Sequence, residues 1–137
     1  MDTEKKPLYL LVDDNAIDIK VHSRMLSISG LTDNIISFSS AGAALEYLTE
    51  HDNQPDKLPD IILLDIQMPE MSGFGFLEAY DKLPGTITDK PKIIMLSTTM
   101  FREDIEQADA NKHVHSLLNK PLDTQKLKSV LGQLSVT

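Results

Sequence analysis

Short apolar runs recur along the chain and are separated by longer segments in which apolar residues follow helical spacing. Each run is four or five residues long, is rich in Ile, Leu and Val, and is followed by a polar residue. Most runs are continuously apolar, which is typical of strands covered on both faces of a parallel sheet. The predicted strands span residues 8–12, 35–38, 61–64, 93–96 and 114–118.

The segments between the runs carry apolar residues three or four positions apart, which predicts amphipathic helices that turn these stripes toward the core. The stripes of the first and last segments are Ile17, Val21, Met25 and Ile28, and Leu127, Val130, Leu131 and Leu134. The weaker stripes between them are Ala44, Leu45 and Leu48, then Phe76, Leu77 and Tyr80, then Phe101, Ile105 and Ala108.

Strand patterns alternate with helical patterns five times, which predicts an α/β fold of the (βα)5 type. The sheet should be parallel with helices on both faces, because each parallel crossover needs a helix to return the chain. Local signals agree with this interpretation. Asp14 or Asn15 can cap the first helix, and Gly30 lies where that helix should end. Asp123 can cap the last helix.

Polar residues of three chemical kinds follow four of the predicted strands. They are Asp13 and Asp14, Asp65, Ser97, and Lys120. The carboxyl ends of parallel strands meet at one edge of an open α/β sheet, where such folds bind their ligands. We therefore expect three carboxylates, a hydroxyl and an ammonium to converge in one crevice.

Three carboxylates in a small volume repel one another unless protons or a cation offset their charge. Oxygen ligands without His or Cys suit Mg²⁺, so Asp13 and Asp14 are expected to hold this cation. Asp65 can accept a phosphoryl group, because a carboxylate can form an acyl phosphate. Lys120 and Ser97 would then neutralise charge on the phosphoryl oxygens and donate a hydrogen bond to them.

Each of these residues has a simpler explanation when it is taken alone. An Asp-Asp-Asn sequence after a strand is often only a helix cap, and Lys120 before a proline is most often a solvated turn. Ser97 in a Ser-Thr-Thr sequence most often satisfies its own backbone. The joint placement at four strand ends favours a site. We interpret the histidines as surface or packing residues: His22, His51, His113 and His115.

Composition excludes several classes of function. The 137 residues are near the size of one domain, and the absence of cysteine rules out disulfides, thiolate metal sites and cysteine nucleophiles. A formal net charge of −8 without a long basic cluster argues against nucleic-acid binding. No apolar run approaches the roughly 20 residues that span a bilayer. The polar N-terminus is unlike a signal peptide, so a cytoplasmic protein is expected.

One domain is expected over residues 7–135, after a polar extension at 1–6 and with no output domain behind it. Two polar segments that contain two prolines each, 52–59 and 84–91, are predicted as loops at the edge opposite the carboxylates.

Four motifs, spread over most of the chain, stand in a specific order and spacing. They are VDDN at 12–15, LLDIQMPEMSGFGFL at 63–77, IIMLSTT at 93–99 and LLNKPL at 117–122. Together they resemble the receiver domain of two-component response regulators, in its stand-alone form. The resemblance implies a flavodoxin-like fold with strand order 2-1-3-4-5. It also implies a signalling protein rather than an enzyme, with only self-phosphorylation and slow self-dephosphorylation.

The resemblance implies roles for the acidic residues. Asp65 would take a phosphoryl group from a phosphohistidine on a sensor histidine kinase or a histidine phosphotransfer protein. Asp13 and Asp14 look like the acidic pair that holds Mg²⁺. Asp65 would be a further ligand of this cation, and Gln67 would contribute its backbone carbonyl.

The resemblance also concerns the switch. Ser97 matches the switch hydroxyl, and Lys120 matches the lysine that contacts the phosphoryl group, with a cis bond to Pro121. The family commonly has Tyr or Phe three residues before this lysine, where the chain has Leu117. A loop rearrangement after Ser97 could carry the signal with Leu117 passive, and the sequence does not decide this. Family analogy places the surface for an unknown downstream protein on 102–134, in a monomer or a phosphorylation-dependent dimer.

Other functions remain open at this point. A phosphatase of the haloacid dehalogenase kind would need a second aspartate two residues after the nucleophile, where the chain has Gln67. A receiver-like docking module that works without phosphorylation would have no need for mutually repelling carboxylates. A flavin-binding protein would need a Ser/Thr/Gly-rich phosphate loop after the first strand, which the chain lacks.

Overall fold

The computed structural model describes residues 6–132, and within them the chain forms five strands and six α-helices. The strands are β1 (Tyr9–Val12), β2 (Ile35–Phe38), β3 (Ile61–Asp65), β4 (Lys92–Ser97) and β5 (Val114–Asn119). The helices are α1 (Ala16–Ile28), α2 (Ala41–Glu50), α3 (Gly73–Tyr80), α4 (Gly85–Thr88), α5 (Arg102–Ala110) and α6 (Thr124–Val130). Every helix in this range is too short or too polar to serve as a membrane span.

All five strands pair in parallel in one sheet, in the order β2-β1-β3-β4-β5. This order confirms the flavodoxin-like fold that the motifs implied. Each strand lies within one residue of its predicted bounds. Asp65 and Ser97 are the last residues of β3 and β4, and the register pairs Asp65 with Leu96 and Ser97 with Asn119. The ends of β3 and β4 that carry Asp65 and Ser97 therefore lie side by side.

The sheet buries a hydrophobic cluster on each face, because side chains alternate along every strand. Leu10 and Val12 of β1 pack on the face that is covered by α2, α3 and α5. Tyr9 and Leu11 pack on the other face, which is covered by α1 and α6. The predicted arrangement of helices on both faces is therefore confirmed.

Local signals set the ends of α1 and α6. The side chain of Asn15, rather than that of Asp14, accepts hydrogen bonds from two N–H groups of the first turn at 2.9 and 3.1 Å. The Asp123 side chain caps α6 in the same way. Gly30 follows α1 with φ at +80°, in the left-handed region that favours glycine. The predicted helix ends thus have the expected physical causes.

The predicted core-facing stripe of α1 is wrong for three of its four residues. Ile17 and Ile28 are 71% and 74% exposed, and Val21 is 42% exposed. The helix contacts the sheet through His22 and Leu26, which are 3% and 0% exposed. At about 100° per residue these two lie roughly 120° around the helix from the middle of the apolar stripe. Met25, at the edge of the stripe, packs partly against the core. The spacing identifies a stripe, but it does not say which way the stripe faces.

Three of the other predicted stripes contact the core as expected, and the stripe of α5 does so only in part. Those of α2, α3 and α6 contact the core through residues such as Leu48, Tyr80 and Leu127, and Leu134 lies outside the described residues. In α5, Ala108 is buried, but Phe101 and Ile105 are 60% and 40% exposed. Of its predicted stripe, α5 therefore buries only Ala108.

The two polar loops contain more structure than predicted. Residues 52–59 include a 3₁₀ turn at Pro55–Lys57, and residues 84–91 include α4. Pro55 is the first residue of the 3₁₀ turn, where its fixed φ suits a helix and its missing N–H is not needed, and Pro84 is the N-cap of α4. Ile87 is fully buried and anchors α4 to the core.

Candidate functional site

The carboxyl ends of four strands meet at one edge of the sheet, and this edge carries the five polar residues that were predicted to follow those strands. Asp13 and Asp14 follow β1, Asp65 ends β3, Ser97 ends β4 and Lys120 follows β5. The Lys120 N–H donates to the Ser97 carbonyl at 2.8 Å, which extends the β4–β5 pairing as far as the lysine. The parallel topology thus brings together residues that are distant in sequence.

Asp13, Asp14 and Asp65 form an acidic cluster, in which one carboxylate oxygen from each lies within 4.8 Å of the other two. Asp13 and Asp65 are 4% and 3% exposed, whereas Asp14 is open to solvent. A donor set of oxygens that is buried on one side and open on the other suits a hard divalent cation that keeps part of its water. The residues fit the predicted Mg²⁺.

Lys120 lies at the centre of this edge. Its side chain is 8% exposed, and its ammonium is 2.9 Å from Asp13 Oδ2, 2.9 Å from Asp18 Oδ2 and 3.3 Å from Asp65 Oδ1. Burial alone would lower the pKa of Lys120. The hydrogen bonds to Asp13 and Asp18 and the charge of Asp65 outweigh burial and raise this pKa well above its ordinary value. Lys120 is therefore charged, and its implied cis bond to Pro121 is confirmed.

Asp65 is a poorly solvated carboxylate. Burial raises its pKa, the charge of Asp13 raises it further, and Lys120 and the N–H of Gln67 lower it, which leaves the pKa at about 6. The Gln67 N–H donates to Asp65 Oδ1 at 3.3 Å. Asp65 is thus ionised at neutral pH without being stabilised by water. Such a group is a candidate for function, and an ionised carboxylate is the form that can act as a nucleophile.

The Ser97 hydroxyl is fully buried and already bonded. It donates to the Thr99 carbonyl, and it accepts from the Thr99 N–H at 3.1 Å and from Gln67 Nε2 at 3.0 Å. The Gln67 amide also reaches Thr99 Oγ1 at 3.4 Å. Ser97 can donate to another oxygen only after it releases the Thr99 carbonyl. The conformation of the loop after β4 is therefore coupled to this hydroxyl.

Two residues of α1 near Lys120 were missed by the sequence patterns. Asp18 pairs with Lys120, and His22 is buried one turn further along the helix. Burial lowers the pKa of His22, and the charge of Lys120 lowers it further. The i, i+4, i+8 spacing of Asp14, Asp18 and His22 is the signal that could have revealed them. The remaining histidines bond elsewhere: His51 to Tyr47, His113 to Asp81 and His115 to Val130.

Leu117 lies within β5 and packs against the core cluster beneath α5. With Ile105 and Ala108 it lines a cavity of about 220 Å³ between β5 and α5. The position where the family commonly has an aromatic ring therefore adjoins open space.

Comparison with known proteins shows the family. The family model of the response regulator receiver domain matches residues 9–132. A probable methanogenesis regulatory protein FilR2 from Methanothrix harundinacea is 30% identical over 134 residues, which are 98% of this chain and 84% of the relative. A probable chemotaxis protein CheY from Rhizobium etli is 30% identical over 132 residues, which are 96% of this chain and 94% of the relative. The two-component response regulator ORR1 from Oryza sativa subsp. japonica is 31% identical over 126 residues, which are 88% of this chain. The chain spans only 53% of that relative.

Solved structures agree with this assignment. A response regulator receiver protein from Dyadobacter fermentans shares 37% identity at a TM-score of 0.82, over 95% of this chain and 98% of that one. A two component response regulator from Cytophaga hutchinsonii matches at a TM-score of 0.86 with 24% identity, over 98% of this chain and all of that one, which supports the fold alone. Receiver domains are signalling modules that act with histidine kinases or phosphotransfer proteins and with downstream effectors. The chain belongs to the response regulator receiver domain family.

Proposed function

We propose that Asp65 accepts a phosphoryl group from the phosphohistidine of a sensor histidine kinase or a histidine phosphotransfer protein in the cytoplasm. The phosphorylated chain then signals to a downstream protein by changing its conformation. The buried Asp65 carboxylate, 3.3 Å from Lys120 and within the acidic cluster, is the observation that carries this proposal. A purely structural aspartate has no need of such surroundings, since buried charges are costly to desolvate.

The transfer makes one bond and breaks another. An oxygen of the Asp65 carboxylate bonds to phosphorus as the phosphorus–nitrogen bond of the donor histidine breaks. The imidazole keeps the electron pair and takes up a proton. The product is an aspartyl acyl phosphate, and slow hydrolysis returns the carboxylate and inorganic phosphate.

The side chains of Asp13, Asp14 and Asp65, with the backbone carbonyl of Gln67, would hold Mg²⁺. When bound, this cation neutralises charge on a phosphoryl oxygen. The exposure of Asp14 supports this role, because it leaves the acidic cluster open to the incoming donor.

Lys120 and Ser97 act on the other phosphoryl oxygens. The Lys120 ammonium neutralises one of them, and the Ser97 hydroxyl donates to another once it has left the Thr99 carbonyl. Breaking that contact changes the loop after β4 and the start of α5. The phosphoryl group adds a charge of roughly −1.5 to −2, and this charge shifts the loop after β4 from its resting arrangement toward a second one.

The downstream protein would read the face formed by residues 102–134, of which 102–132 are described. Helix α5 suits this role because Phe101 and Ile105 are exposed, while Ala108 is buried against the core. The cavity beside Leu117 leaves room for α5 to shift. The chain would act as a monomer or a phosphorylation-dependent dimer, and its net charge of −8 disfavours a nucleic-acid target.

The phosphoryl donor would dock against the start of α1. Ile17 and Val21 are exposed apolar side chains on this helix, and Ile17 follows Asp14 closely in the chain. Exposed apolar side chains that cluster beside a reactive group are typical of a contact surface for another protein.

Incubation with Mg²⁺ and acetyl phosphate tests the proposal. The parent should gain one acid-stable, base-labile phosphoryl group that decays slowly after the donor is removed. Asp65→Asn should gain none, while Asp56→Asn, at an exposed position away from the site, should match the parent. Labelling of Asp65→Asn at the parent's level would show that Asp65 is not the acceptor. A parent that takes no label would instead favour the alternative, a receiver-like docking module independent of phosphorylation, and rapid multiple turnover of phosphate esters would indicate a phosphatase.

A further inference from the structure

Asp18 lies in the first turn of α1, and its side chain reaches across to Lys120. Its Oδ2 accepts a hydrogen bond from Lys120 Nζ at 2.9 Å, between residues 102 positions apart in the chain. An acidic residue in a first turn often serves only the helix dipole. Here the partner is a lysine whose side chain is 8% exposed, which indicates a role in the site.

Lys120 has three carboxylate partners, and they differ in one respect. Asp13 and Asp65 belong to the acidic cluster that would hold Mg²⁺, whereas Asp18 lies outside that cluster. A bound divalent cation is the largest local charge in such a site and changes the electrostatics of its ligands. The attraction of Asp13 and Asp65 for the ammonium therefore falls when the cation binds. Asp18 is the partner that keeps its full charge.

We propose that Asp18 is a positioning residue, which keeps the Lys120 ammonium beside Asp65 while Mg²⁺ occupies the acidic cluster. This inference rests on the proposed function of Asp65. A lysine ammonium ends a flexible four-carbon chain, and a group that stabilises a transition state must be held close to its working position. Without Asp18, the Lys120 ammonium would have no fully charged carboxylate partner while Mg²⁺ is bound, which is the state in which phosphoryl transfer takes place.

The position of Asp18 is fixed by the contacts of its helix. Its N–H donates to the Asn15 side chain at 3.1 Å, and α1 is anchored to the sheet by the fully buried Leu26. His22, one turn from Asp18, does not compete for the carboxylate as a cation. Burial and the charge of Lys120 lower the pKa of His22, which keeps its ring neutral at physiological pH.

The first test compares phosphorylation rates with acetyl phosphate at saturating Mg²⁺. Asp18→Asn keeps the size of the side chain but removes its charge, and it should slow phosphorylation roughly 10- to 100-fold, as is usual for residues that orient a metal-site group. Glu46→Gln, which removes the same charge from an exposed position on α2, should match the parent. In a Lys120→Gln background, Asp18→Asn should have no further effect, because the two residues act as a unit.

The second test does not depend on turnover. N-acetoxysuccinimide acylates accessible lysine side chains, and peptide mass spectrometry reports the rate at Lys120. The parent should be labelled slowly at Lys120 with and without Mg²⁺. In Asp18→Asn, Mg²⁺ should raise the labelling rate of Lys120 several-fold. The cation weakens the hold of Asp13 and Asp65 on the ammonium, and the Asp18 carboxylate that would otherwise keep the ammonium in place is absent.

Three results would overturn the inference while the parent is phosphorylated. They are a parent-like rate for Asp18→Asn, a full additional loss in the Lys120→Gln background, and Lys120 labelling in Asp18→Asn that does not respond to Mg²⁺. A parent that takes no phosphoryl group would contradict the proposed function of Asp65 instead, so the two failures are distinguishable.

Discussion

Gln67 Nε2 donates a hydrogen bond to Ser97 Oγ at 3.0 Å, and this contact joins the loop after β3 to the last residue of β4. It holds Ser97 in the arrangement in which the hydroxyl donates to the Thr99 carbonyl. The proposed phosphorylation requires the hydroxyl to leave the Thr99 carbonyl, and we expect the Gln67 contact to restrain that movement. Because Leu117 stands where the family commonly has an aromatic ring, we expect these contacts to govern much of the switch.

Gln67→Ala should favour the phosphorylated arrangement. One neutral hydrogen bond contributes about 1 kcal/mol, so its loss from the resting state should speed phosphorylation by acetyl phosphate about fivefold at saturating Mg²⁺. The substitution keeps the backbone carbonyl that is proposed to bind the cation. Gln54→Ala, at an exposed position remote from the site, serves as the control. An unchanged or slower rate for Gln67→Ala would show that this contact does not restrain Ser97.

Asp65 should make the stability of the chain depend on pH. Its pKa is raised from 3.8 to about 6, so the folded chain binds this proton more tightly than the unfolded chain does. The stability of the parent therefore falls as the pH rises through this window. Asp65→Asn removes the buried charge and should raise the free energy of unfolding at pH 7.5 by up to about 3 kcal/mol.

Urea unfolding in the presence of EDTA, at several pH values, measures this difference. The advantage of Asp65→Asn should shrink steadily as the pH is lowered toward 4, because the Asp65 of the parent then becomes neutral in the folded chain. An advantage that is constant with pH, or a loss of stability at pH 7.5, would contradict the raised pKa of Asp65.

Ile17→Ser should weaken transfer from a protein donor without affecting a small one. The donor is first identified by phosphotransfer profiling against the histidine kinases and phosphotransfer proteins of the same genome. Loss of an exposed apolar contact at the centre of an interface should reduce this transfer about tenfold or more. Labelling by acetyl phosphate should stay at the parent's level, since that donor needs no docking surface.

Ile28→Ser is the matched control for this prediction. Ile28 is 74% exposed, close to the 71% of Ile17, but it lies about 16 Å further along the axis of α1. If both variants reduce transfer equally, or if neither does, the start of α1 is not the docking surface.

Gly73→Ala tests the packing that positions Asp65. A Cβ at Gly73 would lie 2.7 Å from the Asp65 carbonyl oxygen and 3.1 Å from Ile66 Cα, distances that only a backbone shift can relieve. We expect a loss of about 1–3 kcal/mol in the free energy of unfolding, as for other overpacked positions. Because the shift involves the end of β3, phosphorylation should slow as well.

Gly42→Ala provides the comparison, since a Cβ there has nothing within 4 Å and the residue lies inside α2. Alanine should stabilise this helix by about 0.5–1 kcal/mol. Urea unfolding of both variants beside the parent gives the two changes, and equal stabilities would contradict the close approach at Gly73.

The sheet could be predicted from the sequence because strands buried on both faces must be continuously apolar. Each run of Ile, Leu and Val therefore located a strand to within one residue. The rotation of α1 could not be predicted in this way, since Ile17 and Ile28 form a regular apolar stripe that faces solvent. What decides the rotation is the path of the chain from β1 into the helix, and apolar spacing does not record it.

The site could be predicted as far as strand ends define it. Asp65 and Lys120 each follow an apolar run, so the parallel topology alone brings them to one edge. Asp18 and His22 could not be found by that rule, because they lie inside a helix. Their part in the site depends on which side of α1 faces Lys120. The 2.9 Å contact between Asp18 and Lys120 shows that it is the side that carries these two residues.

Asp65 as the chemical acceptor can be tested directly by locating the phosphoryl group. The chain is treated with acetyl phosphate and Mg²⁺ and then reduced with borohydride, which converts an aspartyl phosphate to homoserine, and the converted residue is found by peptide mass spectrometry. We predict conversion at position 65 alone, and none when the donor or Mg²⁺ is left out. Conversion at Asp13, Asp14 or Asp18 with position 65 intact would contradict the proposed function.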